Sequence, residues 1–519
     1  PVLGTNTTVG DFSTVQGGLF NRAPGTFGSV VNGISNDVEG KHDFIGNGQE
    51  NKILNTTYWN TYTDSTYFYN QRTILNGYSG HNASVRGGTI LNGLANYLED
   101  GAQWSTIING KENRITGNKG QLRPGIWGGY NLIGNGTQHR ITSGSSYSTI
   151  LNGHHNQIIS ANTVSILGGR NNSISGESHN SVIVAGINNL IDSPYGNSNA
   201  GNSTSAVLIG GGMNNMIWSA DTSVIVGGYR NTITGSTSSF IGGGGTNFIT
   251  HPNISTDEKN SSIVGGESNK ILGLGELNFI GGGKLNDIRT ISKSSIVGGE
   301  LNYIDTDNDL ATPNNGYKSI LGGFTNKTYG LGYDVILGGS GNTINGGGNF
   351  SLIGNGRENE TQNGEYSTIL NGQRNNVSAV YGTVLGGSGN TVSGNFGHIV
   401  GGTGNTINST AVSSAVIGCN DLTATQANTT YMCGLTAGTI SATTVFAWNV
   451  PQKYVDTRNY TANVAETITH NLDTQDVVVN IWDTSTSQRI DATIIYGTLN
   501  TITVELTMNK DDIKTVIIG

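Results

Sequence analysis

The stretch Ser262-Ile263-Val264-Gly265-Gly266-Glu267-Ser268-Asn269-Lys270-Ile271 decides how this 519-residue chain folds. It returns as Ser295-Ile296-Val297-Gly298-Gly299-Glu300-Leu301-Asn302-Tyr303-Ile304, and again as Val335-Ile336-Leu337-Gly338-Gly339-Ser340-Gly341-Asn342-Thr343-Ile344. An apolar two-residue step leads into Gly-Gly or Asn-Gly. Asn follows three residues after the second Gly, and a β-branched residue two after that. About 22 copies run from Val15 to Ile407, most of them about 15–17 residues apart. No helical period accompanies them. Short β-branched bursts bounded by Gly and Asn are strand-and-turn language.

Each copy therefore reads as one coil of a parallel β-solenoid (a β-roll or β-helix). Two short strands flank a tight Gly-Gly turn, where Gly accepts positive φ without penalty. Coils stacked at about 4.8 Å make a rod on the order of 100 Å long. Asn36, Asn96, Asn113, Asn156, Asn231, Asn269, Asn302, Asn342, Asn390 and Asn405 fall one above another. They are expected to form a structural ladder of amides along the axis. Adjacent strand residues point to opposite faces. Ile263 and Val264, or Ile369 and Leu370, therefore cannot both enter one thin coil. The second apolar residue should form an exposed stripe, longer than soluble monomers tolerate. Parallel self-association, as a trimer, is the expected way to cover it.

Long steps follow Gly48, Gly110, Gly186, Gly244 and Gly299. All fall between the second strand of one coil and the first of the next, so they should project along one edge. The first carries Tyr58, Trp59, Tyr62, Tyr67, Phe68 and Tyr69; the second carries Trp127 and Tyr130. Tyr58, Trp59, Tyr62, Tyr67, Tyr69, Trp127 and Tyr130 are the candidate glycan contacts, because aromatic faces beside hydrogen-bonding groups suit sugar rings. The alternative is that these rings tether long loops to the rod.

Composition removes several functions. Gly numbers 80, about twice the usual share of roughly 7%. The net charge is −9 with no basic run, which argues against nucleic-acid binding. No stretch reaches the ~20 apolar residues of a membrane helix. The first residue is Pro1 rather than Met, so a processed chain or a fragment is expected. No metal-ligand spacing occurs, and no cofactor or metal is expected. Asn342 and Asn390 stand where a calcium β-roll needs Asp. The Asp305/Asp307/Asp309 run reads as a solvated loop. Cys419 and Cys433 lie close to one repeat apart. Buried free thiols are the expectation, with a disulfide as the alternative.

The phrase decays at Ala415-Val416-Ile417-Gly418-Cys419-Asn420. The expected domains are a rod over 1–420, a cap and linker over 421–450, and a small antiparallel β-sandwich over 451–519. In the last, Thr501 to Met508 alternates strictly, and Lys453–Tyr460, Glu466–His470, Asp476–Trp482, Arg489–Tyr496 and Lys514–Ile518 are further strand candidates.

The run Gly382-Thr383-Val384-Leu385-Gly386-Gly387-Ser388-Gly389-Asn390-Thr391-Val392-Ser393-Gly394 resembles the head repeats of trimeric autotransporter adhesins. It is still more similar to Gly-Gly-x-x-Asn repeats of bacteriophage tail fibres and related viral fibre proteins. The resemblance covers about four-fifths of the chain. It differs from the adhesin heads in carrying Gly-Gly then Asn where they usually carry one Gly then Ser. It implies a trimer of left-handed parallel β-rolls on a virion surface. Ile468-Thr469-His470-Asn471-Leu472 followed by Val477 to Asp483 resembles small β-domains of phage tail proteins and implies a tip or attachment module. The expected function is a structural, receptor-binding fibre outside the cell, displaying loops to host polysaccharide and joined to other virion proteins. Two alternatives are a tailspike-like glycan depolymerase, with Glu50, Glu99, Asp100 and Glu258 as candidate carboxylates, and a bacterial surface adhesin head.

Overall fold

The computed structural model describes residues 5–54, 72–83, 87–99, 102–117, 129–142, 144–193, 206–251, 260–273, 275–289, 292–305, 316–330, 332–346, 350–433, 453–461, 463–472, 477–498 and 500–518. Their regular structure is all strand. Two compact units emerge, Pro1–Thr430 and Tyr431–Gly519.

The first unit is a parallel β-solenoid. Ser262–Ile263 pairs in parallel with Phe240–Ile241 and with Phe279–Ile280 in one sheet. Lys270–Leu272 pairs in parallel with Phe248–Thr250 and Asp287–Arg289 in the other. We call these the first and second sheets. The second holds 24 strands, more than the Gly-Gly count, because Thr7–Thr8 and Thr423–Ala424 join it without the full phrase.

Register stacks like on like. Ile263 sits over Ile280, and Ile271 over Ile288. In most strands one apolar residue enters the interior, and Ile263 and Ile271 are both 0% exposed; Asn82, Thr328 and Thr361 are polar exceptions in the second sheet. Each such burial contributes roughly 1.5–3 kcal/mol relative to exposure.

The turn between the sheets explains the two glycines separately. Gly266 has φ +90, and a Cβ there would meet the Gly283 carbonyl oxygen of the next coil at 2.1 Å. Gly265 would meet nothing within 4 Å. The first position therefore admits Asn, and at Asn32 the side-chain oxygen accepts the Gly33 N–H at 2.9 Å. Many coils also hold two non-Gly residues in the left-handed region, as at Ser268 (φ 57) and Leu277 (φ 56). Such a residue costs roughly 1–2 kcal/mol, so the stack must hold it in place.

The Asn ladder does this. Asn269 Nδ2 donates to the Gly265 carbonyl of its own turn and to the Gly283 carbonyl of the next, both at 3.0 Å. Its Oδ1 accepts the Asn286 backbone N–H at 3.0 Å. Both amide hydrogens and the oxygen are used, and the residue is fully buried. Asn113, Asn156, Asn231, Asn302, Asn342, Asn390 and Asn405 make the same bonds. Three described coils depart from the rule, the last being the end coil, where Leu422 takes the position and its N–H donates to Asn405 at 3.2 Å. Gly80 replaces the Asn, so its coil offers no amide. His139 replaces another, and its Nδ1 accepts the Asn156 N–H at 3.2 Å.

The interior carries two full ion pairs. Arg72 meets Asp43 at 2.7 Å, and Lys318 meets Asp334 at 2.6 Å, all four side chains being buried. Burial pushes both carboxyls upward against the pull of their cations. The cations also satisfy the backbone. Arg72 Nη1 donates to the Leu54 carbonyl and Lys318 Nζ to the Tyr329 carbonyl, both at 2.9 Å. Each stands just after a long step of the chain, at a position where Ser is the commonest residue.

Cys419 and Cys433 are disulfide-bonded, which corrects the expectation of free thiols. The bond closes a short loop over Thr430–Met432, the last described strand of the first sheet. A loop of that size gains about 3 kcal/mol from the lost freedom of the unfolded chain.

The second unit has two antiparallel sheets. Lys453–Tyr460, Lys510–Ile518, Val478–Asp483 and Gln488–Arg489 form one, and Glu466–Thr469, Thr501–Glu505 and Thr493–Tyr496 the other. Tyr460, Ile468, Val479, Ile481, Ile502, Val504, Ile513 and Ile517 fill the space between them. The segment read as one strand over Arg489–Tyr496 is two strands, one in each sheet.

Candidate functional site

The solenoid offers solvent two sheet faces and the corners between them. On the first sheet, the residues either side of the buried Ile point outward. Val264 is 50% exposed and Val297 52%, and Leu75, Ile108, Leu151, Leu167, Val184, Leu321, Leu337, Leu370, Leu385 and Val400 share this row. Strand alternation is therefore realised residue by residue: Ile263 in, Val264 out.

A second regularity runs across this face. Six coils carry Gly at the outer position after the buried residue: Gly46, Gly134, Gly210, Gly242, Gly281 and Gly354. The same six carry Phe44, Leu132, Leu208, Phe240, Phe279 and Leu352 at the outer position before it. No other described strand of the first sheet has Phe or Leu there. The two positions lie on one face, two residues apart. A Cβ added to Gly242 or Gly281 would first meet the Val264 or Val297 carbonyl oxygen of the next coil at 2.4 Å, and beyond it Cε1 of Phe240 or Phe279 at 3.2 and 3.3 Å. The ring takes the space that the missing side chain would fill. Wherever the second outer position is Gly, Phe or Leu stands at the first, so each of these six coils keeps an apolar side chain on this face.

The second sheet is different. Lys52, His81, Tyr97, Arg114, Arg140, Gln157 and Ser173 succeed one another along its outer row, and Lys270, Asp287, Tyr303, Lys327, Thr343 and Glu360 do so further on. Leu190, Met216 and Phe248 interrupt the polar run. Two shallow grooves lie on this face. One, of about 540 Å³, includes Tyr97, Arg114 and Arg140; the other, of about 380 Å³, includes Arg289, Tyr303 and Lys327.

The corner leading back into the first sheet carries stacked rings. Tyr317, Tyr333, Phe350, Tyr366, Tyr381 and Phe396 stack in sequence with centroids 4.7–5.2 Å apart and planes within 12°. Trp104, Tyr130 and Tyr147 form a shorter stack, as do Phe12, Phe27 and His42. Most of these residues are left-handed, for example Tyr381 at φ 56. Ring faces within a stack are covered by their neighbours, and the edges meet solvent.

Tyr130, one of the candidate sugar contacts, is such a ring: Trp104 and Tyr147 cover its two faces at 6.5 and 5.2 Å. Tyr58, Trp59, Tyr62, Tyr67, Tyr69 and Trp127 lie outside the described residues. So do most residues of the five long steps, all of which leave a second-sheet strand and re-enter the first sheet, at the corner of the ring stacks. Among the candidate carboxylates, Glu99 bonds Arg114, and Glu50 accepts from Gln49 and Ser79. Asp100 and Glu258 lie outside the described residues. Asp305 accepts a bond from Tyr303, and Asn342 and Asn390 are committed to the ladder. Among the described residues no group of three His, Cys, Asp or Glu is placed to hold a metal ion. No protein-family model matches the chain, and no curated protein matches it.

Proposed function

We propose that this chain is the shaft and tip of an extracellular fibre on a virion, a homotrimer whose copies run parallel and bury their first sheets against one another. The observation that carries this reading is the volume rule on the outer face of the first sheet. A solvent-facing surface has no cause to trade Phe at one position for Gly at the next. A close-packed surface does, because interiors tolerate neither voids nor added methylenes. The rule repeats with the rise of the coils, so the covering surface must share that rise. Another copy of the same solenoid meets this requirement.

The second sheet then remains outside, with the corner from which the long steps leave. A polar face on a rigid rod suits display to a host surface polysaccharide, and repeated weak contacts gain strength through avidity. The likeness of Gly382–Gly394 to viral fibre repeats agrees with this role. The disulfide at the end of the coils fits an oxidising exterior.

Native mass measurement of the purified chain tests the assembly. The expected value is three times the 54.3 kDa chain mass. A monodisperse monomer would overturn the reading, and a dimer would overturn the trimeric count. Immunogold labelling of the particle tests location, and label confined to the cell interior would sink the fibre assignment.

A further inference from the structure

The larger groove on the second sheet is a place where charge is left unmatched. Arg114 and Arg140 are register partners on adjacent coils, about 4.8 Å apart along the rod. Like charges directly opposite one another are destabilising in a sheet. Arg114 is answered by Glu99, which also lies 3.7 Å from His81. Arg140 has no carboxylate within 4 Å among the described residues. Glu112 lines the same groove but is occupied: Lys111 lies 3.3 Å from it and Gln138 donates to it at 2.7 Å. Those hydrogen bonds hold its carboxyl below the usual range. One guanidinium thus stands free in a chain whose net charge is −9.

The walls are ordered and polar. Gln138 is fixed at both ends, by Glu112 and by His155. Tyr97 and Gln157 bracket the arginines along the row, one coil before and one coil after. The volume, about 540 Å³, falls in the usual range for small-ligand sites.

We propose that this groove binds an acidic glycan, with the carboxylate of a uronic or sialic acid unit against Arg140, its hydroxyls on Gln157 and His155, and a neighbouring sugar against Tyr97. A guanidinium offers a carboxylate two parallel hydrogen bonds, which a neutral sugar cannot reproduce. The proposal rests on the second sheet being the displayed face.

The test uses the full chain and two probes of equal length, hexagalacturonate and maltohexaose, in titration calorimetry at low salt. Hexagalacturonate should bind at least tenfold more tightly than maltohexaose, and its binding should weaken as ionic strength rises. Arg140→Ala should lower hexagalacturonate affinity about tenfold or more with native mass unchanged, and Lys270→Ala, on the same face but outside the groove, should leave it intact. Equal affinity for both probes would overturn the proposal. So would an unaltered Arg140→Ala variant, or no binding of hexagalacturonate. Native mass separates the two readings: a normal assembly without binding sinks the groove alone.

Discussion

The two sheets of the rod share a core, a backbone and a register, yet their outer faces differ. The first sheet exposes Val264, Val297 and Leu337; the second presents Lys270, Tyr303 and Lys327 at its outer row. The strands themselves are equally regular, and both sheets bury mainly Ile, with Asn82, Thr328 and Thr361 as polar exceptions in the second. Stability of the coil therefore does not decide what stands outside. What differs is the outward row, apolar on the first sheet and largely polar on the second; in the proposed assembly the first is covered and the second left free.

The sharpest way to break this contrast is to put charge on the apolar face. Val297→Asp combined with Leu337→Asp should abolish the assembly and leave monomer or aggregate in a native mass measurement. The matching change on the other face, Lys270→Asp, should leave the mass unchanged. If both variants keep the assembly, the first sheet is not the interface.

A smaller effect is expected in the turn that joins the sheets. Asn269→Ala leaves the Gly265 carbonyl and the Asn286 N–H without the ladder amide, while the Gly283 carbonyl keeps the Glu267 N–H at 2.9 Å. The cost should be about 2–3 kcal/mol in chemical denaturation. Removing an exposed residue of the second sheet, as in Lys270→Ala, should change stability by less than about 0.5 kcal/mol.

The volume rule can be sharpened by a swap. Gly281→Val alone should overfill its coil and weaken assembly by about 1–3 kcal/mol. Adding Phe279→Ser rebuilds the Ser-Ile-Val step found at Ser262–Val264, and should restore most of the loss. Additive effects in the double-mutant cycle would mean that the two positions do not share a packed space.

The smallest effect concerns His139. Burial lowers its pKa from 6.5 to about 4. Its Nδ1 must stay unprotonated to accept the Asn156 N–H. Between pH 6.5 and 4 the unfolded chain takes up a proton that the folded chain refuses, so this group's contribution is full above pH 6.5 and falls as pH drops through that window. His139→Asn should remove that slope, leaving the variant about 1–2 kcal/mol less penalised near pH 4 in paired denaturation curves. Identical pH profiles for the two proteins would exclude a neutral ladder histidine.

Much of the rod was legible because its signals are local and recur. The Ile-Val step reports an inside and an outside, and the Asn reports a buried amide, since both follow from strand alternation and hydrogen-bond need. Other features follow rules the phrase does not contain. Tyr333, Phe350, Tyr366, Tyr381 and Phe396 each stand three residues before the buried Ile or Val, a spacing visible in the sequence once the corner is known to be a stacking position. The pairing of Phe240 with Gly242 becomes meaningful only when both are placed on one face. Arg72 and Asp43 are far apart along the chain because a long step separates coils that touch. The cysteines stood one coil apart in sequence, but their bond depended on geometry at the end of the stack.

The glycine at position 80 has a mechanical consequence. Along most of the solenoid, an amide clasps each coil to the next, and each clasp in turn bears the whole of a load drawn along the axis. Asn51 holds the Gly80 N–H at 3.0 Å, but no ladder amide reaches from the coil of Gly80 to that of Asn96. Interactions in series fail at the weakest member. A solenoid pulled along its axis should part first after the coil of Gly80, as a fuse does, and the coils on either side should keep their form.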